Sequence, residues 1–322
     1  MLVESVPNYS EGRRSDVVDR LALAARGVDG AYLLNRTSDA SHNRSVLTLA
    51  GDASSVEQAL EATIEVAIDA IDMEAHSGEH PRIGAVDVIP FVPLGSTTID
   101  ECVALARTFG ERIAGRFQLP VYLYARAATR PDRVRLADVR RGGYEAVRDE
   151  IGDAAADRRP DFGPLRTHPR AGAVAVGARP FLIAWNINLD TGDVEVAKRV
   201  ARRVRESGGG LPAVQGNGFR IEELDAAQVS MNLLDFRTTP MWRVFDEVRR
   251  LAGEEGVGIR ESELIGLAPQ AAFDDVATHA GVPAGASTEA RFAAAAAYLR
   301  LRDAQPLMIL EQRLAGARPS VG

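Results

Sequence analysis

From Leu2 to Leu94, short apolar runs alternate with stretches of helical period, and that order restricts the fold more than any other feature of the chain. "LVESVP" reads as a strand ended by the polar loop "NYSEGRR". Ser15 to Arg26 then places Val17, Val18, Leu21, Ala24 and Ala25 on one side of a helix. "GAYLLN" and "RSVLTLAG" follow as strands around the polar loop "RTSDASHN". Between Ser54 and Met73, Val56, Leu60, Ile64, Ala67, Ile68 and Ile71 mark a long amphipathic helix, and "AVDVIPFVPL" is a fourth strand. The order is β-α-β-β-α-β, a ferredoxin-like unit. A helix over Ile99–Phe117 and the strand "PVYLYA" extend it.

The second half repeats the pattern. "GAVAVGAR" and "PFLIAWNINLD" read as strands around a turn. A helix over Val194–Glu206, the break "SGGGLP", and the strands "AVQGNGFRI" and "AQVSMNLLDF" come next. Thr239–Ala252 is helical, with Pro240 in its first turn, and "GVGIRESELIGLAP" supplies a last strand. The expectation is an α/β chain (an α+β sandwich) of two ferredoxin-like subdomains, each with a four-stranded sheet. Their bounds are 1–168 and 169–277, with a helical C-terminal extension over 278–322. A length of 322 residues suits two domains of moderate size. "DAAADRRPDFGPLRTHPRAGA", between the halves, has the composition of a linker or a long functional loop.

Charge and cysteine content exclude some classes. A net charge of −7, with both signs mixed along the chain, leaves no basic face for nucleic acid. The single cysteine, Cys102, has no disulfide partner and falls in a helical pattern, which fits burial in a reducing cytoplasm. No signal-like start appears, and no run approaches the roughly 18 apolar residues of a membrane span. A cytoplasmic protein without a membrane or nucleic-acid partner is expected. Lys198 is the sole lysine, so any cation that binds an anion is expected to be an arginine.

The densest polar cluster is "AHSGEHPRIGAVDVIPFVP", where His76, Glu79, His80 and Arg82 stand immediately before an apolar strand. It matches H-x-x-E-H, which binds zinc when both histidines share a helical face. Gly78 weakens such a helix and Pro81 turns His80 away from helical geometry, so no metal is expected. An acid/base histidine on a loop entering a sheet is the alternative, since a histidine titrates near neutral pH. A polar helix end is the bland reading, and it accounts for His76. In "SDASHNRS", Asp39 and His42 read as residues of a solvated turn. "GNG" (Gly216–Gly218) lacks the pattern of a phosphate loop and reads as a bulge or a close backbone approach. No G-x-S-x-G nucleophile motif is present.

Taken together, "VPNYSEG", "HNRSVLTLAG", "HSGEHPRIGAVDVIPFVPL", "PVYLYARAA", "PDFGP", "GARPFLIAWNINL", "AQVSMNLLDF" and "SELIGLAP" resemble the glutamate formimidoyltransferase (formiminotransferase) family, over about Leu2 to Ala272. The resemblance implies two α/β subdomains in a homodimer, with folate bound in a cleft between the subdomains. The activity implied is transfer of the formimino group from N-formimino-L-glutamate to N5 of tetrahydrofolate, a co-substrate, in histidine breakdown. The family's catalytic histidine maps to His80. Its folate-contacting segment maps to Pro160, Asp161, Phe162, Gly163 and Pro164, and continues through Leu165, Arg166, Thr167, His168 and Pro169. Both substrates carry carboxylates, so Asn43, Arg44, Glu79 and Arg82 are expected at the substrate. The resemblance is to the form without the cyclodeaminase domain of longer relatives, and no such domain is expected in these 322 residues.

Three positions depart from the pattern. Thr37 stands where relatives carry an acidic residue thought to assist the histidine, with Asp39 two residues on. Gly143 replaces the first glutamate of G-E-Y-E, and "LRTHP" follows P-D-F-G-P. Three other readings stay open: a folate-binding homologue without transfer, a formyl-transferring relative with a different donor, and a zinc hydrolase.

Overall fold

Leu2–Ser5 (β1) and Asn8–Tyr9 (β2) are two pieces of one strand, parted at Val6 and Pro7, where proline has no N–H for the ladder. The Pro7 carbonyl still accepts from the Leu47 amide at 3.2 Å, so the break costs no partner on that side. The computed structural model describes residues 1–318 and divides at Arg179/Pro180 into two units. The last four residues of the predicted C-terminal extension lie outside the described residues.

The first unit continues with α1 (Ser15–Arg26), β3 (Ala31–Asp39), β4 (Arg44–Asp52), α2 (Ala53–Ala70) and β5 (Val86–Pro93). Asp52 caps α2 by accepting from the Ser54 amide at 3.1 Å. Then come α3 (Ile99–Phe117), opened by a Thr98/Glu101 capping box, β6 (Val121–Ala125), α4 (Leu136–Val139), α5 (Gly143–Glu150) and β7 (Val174–Ala178).

The sheet runs β3, β4, β1/β2, β5, β7, β6. Its neighbours are antiparallel up to β5, and β5–β7 and β7–β6 are parallel. On one face Leu21, Leu60, Ile64, Phe109 and Ile113 from α1, α2 and α3 pack with Leu49, Ile89 and Phe91. Burying each such side chain stabilises by about 1.5–3 kcal/mol relative to exposure. On the other face Val139, Val147 and Ile151 close over Val88, Tyr122 and Tyr124. β5 is therefore covered on both sides, which explains its near-continuous apolar sequence.

Two expectations are corrected here. A four-stranded sheet extended by "PVYLYA" is predicted for the first half, and its sheet has seven strand segments, counting β1 and β2 separately. "GAVAVGAR", predicted to open the second half, is β7 of the first sheet, seated between β5 and β6. A strand that slots between two others already laid down has its partners far away in sequence. Its own apolar pattern cannot reveal them.

The second unit holds β8 (Ile183–Leu189), α6 (Val194–Val204), β9 (Val214–Ile221), β10 (Ala226–Leu233), α7 (Met241–Glu254) and β11 (Ile259–Ile265). The element order is β-α-β-β-α-β, and the four strands lie antiparallel as β11, β8, β10, β9. Gly218 lies where α6 crosses β9: a Cβ there would stand 2.3 Å from the Lys198 amide nitrogen. The "GNG" run is thus a close backbone approach. α8 (Gln270–His279), α9 (Thr288–Tyr298) and α10 (Leu310–Ala317) complete the unit. Arg291, buried on α9, binds Asp274 and the Thr278 hydroxyl of α8 and locks the two helices together.

Candidate active site

Three polar loops of the first unit meet at its histidines. They are residues 10–14 after β2, the β3–β4 turn at 40–43, and residues 71–85 between α2 and β5. Asn43 ties them together. Its Oδ1 accepts from the Gly12 amide at 3.0 Å, its Nδ2 donates to the Ser77 carbonyl at 2.9 Å, and its own carbonyl lies 3.1 Å from His76 Nε2. Its φ of 48° is left-handed, a conformation that asparagine tolerates better than most residues. Ser10 fastens the first loop to the third, with its hydroxyl donating to the Gly84 carbonyl at 2.7 Å. A Cβ on Gly12 would stand 2.2 Å from the Asp39 carbonyl oxygen, and one on Gly78 would stand 2.4 Å from that of His42. Only glycine lets these backbones approach so closely.

His80 sits in this clamp, half-buried. Arg44, the first residue of β4, donates from Nη1 to His80 Nε2 at 2.7 Å. A guanidinium is always a donor, so Nε2 is the acceptor and the ring is neutral. Burial, then the charges of Arg44, Arg140 and His42, push the His80 pKa from 6.5 down to about 3. Arg140, at the end of α4, is ion-paired with buried Asp87 of β5, whose other oxygen accepts from the Ile83 amide at 2.8 Å. This pair fixes the strand immediately after the histidine loop. Arg140 Nε is buried without a hydrogen-bond partner among the described residues. The surroundings of His80 are thus cationic and suit a carboxylate-bearing substrate.

The other expected site residues divide by role. Glu79 is exposed at the rim. Arg82 forms a two-pronged bond to Glu145 of α5 at 2.8 and 2.9 Å, and its Nε donates to His76 Nδ1 at 3.1 Å. It is a brace between the loop and α5. Gly143, with φ of 69°, opens α5, and a Cβ there would stand 3.3 Å from Arg82 Nη1. Position 143 is thus beside a guanidinium that Glu145 serves. Both ring nitrogens of His76 are engaged, by Arg82 and by the Asn43 carbonyl. The loop is not helical, so the shared helical face that H-x-x-E-H needs for zinc is not formed.

Residues 160–169 run along the edge of the first sheet. Asp161 accepts from the Leu123 amide at 2.8 Å and also holds Arg133 and the Thr129 hydroxyl. Phe162 bridges to Val121 of β6 and packs against the core. Gly163 has φ of 91°, and a Cβ there would meet the Leu119 carbonyl at 2.7 Å. The P-D-F-G-P motif is therefore a clasp on β6. After it, Leu165 and Arg166 are exposed, and Pro160, Pro164 and Thr167 are half-buried. His168 Nδ1 accepts from the amides of Arg170 and Ala171 at 3.3 and 3.0 Å, closing a turn before Pro169 leads on. Past that turn the Ala171 carbonyl accepts from Ala85, and the Ala173 amide donates to Ile83. The end of this segment is thereby stitched to the strand that follows His80.

Two features escape the sequence reading. Asp39 and His42, read as a solvated turn, stand beside His80: the His42 and His80 rings lie 6.0 Å apart, edge to face. Asp87 and Arg140 lie 53 residues apart and frame the site from below. A lone carboxylate inside the apolar run "AVDVIPF" is the signal that could have found Asp87, because a buried charge requires a partner.

Comparison with known proteins covers both units. A family model described as "Formiminotransferase domain, N-terminal subdomain" matches residues 2–179, and one described as "Formiminotransferase domain" matches residues 184–281. A protein of Streptococcus pyogenes serotype M1 named "Glutamate formimidoyltransferase" is 43% identical over 278 residues, covering 86% of this chain and 92% of its own. One of the same name from Thermoplasma acidophilum is 46% identical over 280 residues, covering 86% and 91%. The "Formimidoyltransferase-cyclodeaminase" of Rattus norvegicus is 43% identical over 282 residues, and this chain spans 52% of its length.

Proposed function

The chain belongs to the formiminotransferase family, and from that premise we infer that it transfers the formimino group of N-formimino-L-glutamate to N5 of tetrahydrofolate, releasing L-glutamate. The observation that carries this reading is its identity of 43–46% to two glutamate formimidoyltransferases across most of both chains.

Tetrahydrofolate supplies the attacking nitrogen when bound. His80 is the acid/base residue in this reading, because its neutral Nε2 is a lone pair ready to accept the proton that N5 loses. Arg44 holds that lone pair in the free protein. An arriving carboxylate competes for the guanidinium and frees the base. Arg44 supplies positive charge beside His80 for the acidic substrates. Asn43 and Arg82 shape the loop from behind, and Glu79 stands at its rim. Along residues 160–169, we assign folate contact to the exposed stretch after the clasp, Leu165 and Arg166 first, and segment geometry to Asp161, Phe162 and Gly163. A cytoplasmic homodimer goes with this reading, and light scattering of the purified protein tests the dimer.

The decisive experiment follows formiminoglutamate-dependent loss of tetrahydrofolate, read as methenylfolate absorbance after acid treatment, for the native chain and for His80→Ala. Turnover that disappears in a folded His80→Ala protein is the expected result. Native protein that binds tetrahydrofolate and leaves formiminoglutamate untouched would overturn it.

A further inference from the structure

Beside His80 stands a second, separately oriented imidazole. Asp39, the last residue of β3, commits both carboxylate oxygens to His42: Oδ1 accepts from the His42 amide at 2.8 Å, and Oδ2 lies 2.8 Å from Nδ1 of its ring. One carboxylate thus fixes both the backbone and the ring of one histidine. With Nδ1 donating to Asp39, Nε2 is left on a ring that is close to half exposed, and it carries a proton to donate when the ring is the imidazolium. The turn that carries the pair is held from three sides. Arg13 Nε donates to the Ala40 carbonyl at 2.8 Å, the Glu79 amide donates to that of Ser41 at 3.4 Å, and Gly78 lies against the His42 carbonyl.

The two rings have opposite surroundings. A proton on His80 would face the guanidinium groups of Arg44 and Arg140. A proton on His42 faces a carboxylate. Burial resists ionisation of Asp39, but its bonds from the His42 backbone and ring outweigh that and keep its carboxyl below the usual range. One imidazole is thus set among cations and the other against an anion.

We propose that His42, oriented by Asp39, is a second acid/base residue of this site, donating the proton that the leaving nitrogen needs while His80 accepts the one the attacking nitrogen loses. The inference rests on the formimino-transfer reading above. As the N5–carbon bond forms, the N5 proton passes to His80. As the bond from that carbon to the glutamate nitrogen breaks, its electron pair takes the His42 Nε2 proton. The sum leaves His80 protonated and His42 neutral, and exchange with water resets both. The groups facing His42 are Asp39 through ring and backbone and His80 edge-on, and Arg44 stands opposite Asp39 across the hairpin.

The test compares the native chain, His42→Gln, His42→Ala and Asp39→Asn in the formiminoglutamate assay across pH. His42→Gln is expected to lose about 100-fold in kcat, typical of one acid/base group, with KM for both substrates unchanged. The limb of the native profile that falls as pH rises is expected to vanish with it. Added imidazole should restore turnover to His42→Ala, and Asp39→Asn should lower kcat in the same direction. A His42→Gln enzyme with native kcat and pH profile would overturn the proposal. So would a loss of kcat that comes with raised KM and no imidazole rescue, which marks a structural role. In both of those results the native enzyme still turns over, so the transfer reading stands. Native protein without turnover removes that reading and this one together.

Discussion

The guanidinium of Arg44 donates to Nε2 of His80 at 2.7 Å, so the ring nitrogen proposed as the base is already occupied in the free protein. With its pKa pushed to about 3 by burial and by Arg44 and Arg140, the His80 ring stays neutral in the folded protein at pH values where an unfolded histidine, near 6.5, takes up a proton. The unfolded chain therefore binds the extra proton between those values. Stability contributed by this group is full above 6.5 and falls as pH drops toward 3. Removing the neighbouring cation should reverse part of the shift. In Arg44→Gln the His80 ring is expected to titrate at higher pH than in the native chain, followed by histidine ring NMR. An unchanged titration would mean that burial and the remaining charges keep the ring neutral without Arg44.

Gly78 offers a test of the loop clamp that touches no charged group. A methyl there would stand 2.4 Å from the His42 carbonyl oxygen, and backbone cannot yield as a flexible side chain can. Gly78→Ala is expected to displace the β3–β4 turn from the His80 loop, costing about 1–3 kcal/mol of stability. Activity should drop by more than stability explains, by about 100-fold if reacting groups shift by an ångström. Urea unfolding and the transfer assay on one preparation separate the two effects. A Gly78→Ala enzyme with native activity would show that the three loops are not a rigid unit.

Much of this was legible before the fold. Pro81 after His80, and Gly78 before it, argue for a loop over a helix, and residues 71–82 are a loop. The apolar run from Val86 to Pro93 announces a strand covered on both faces. Some of it was not legible, for identifiable reasons. β7 finds its partners at β5 and β6, more than 80 and 45 residues back respectively, and nothing local to "AVAVGA" encodes that choice. Asp39 and His42 have the composition of any solvated turn. They stand beside the His80 loop only because Asn43 ties their turn to the loops at 10–14 and 71–85. P-D-F-G-P reads as a ligand loop, and in the fold its aspartate is spent on backbone and arginine.

Glu145 and Arg82 should matter less than their close geometry suggests. Their two bonds are 2.8 and 2.9 Å, but the Glu145 side chain is 54% exposed, and water screens such a pair. Glu145→Gln is expected to cost at most about 1 kcal/mol. The bonds from Arg82 hold the Glu145 carboxyl down at about 2 against 4.5, so its contribution is full above 4.5 and lost as pH falls through about 2. The stability gap between native chain and variant should accordingly narrow across that window in guanidinium unfolding. A gap that widens on acidification would contradict the sign.

Asp161 presents the opposite case. Its side chain and that of Arg133 are 7% and 6% exposed, and the same carboxylate satisfies the Leu123 amide of β6 and the Thr129 hydroxyl. Asp161→Ala would leave a buried guanidinium without its counter-charge and a strand amide without its acceptor. A loss of about 3–5 kcal/mol is expected, as for other buried pairs broken on one side. Asp161→Asn keeps one acceptor oxygen for the amide and loses the charge, so it should fall between alanine and the native residue. The consequence reaches function through position. The clasp holds Phe162 against Val121 and thereby sets where Leu165 and Arg166 begin. At a temperature where the variants remain folded, KM for tetrahydrofolate should rise in the order native, Asn, Ala, with KM for formiminoglutamate little changed. Variants that melt with the native protein would show that the clasp is not held by this pair. Variants that are destabilised yet keep a native KM for tetrahydrofolate would detach residues 160–169 from folate binding.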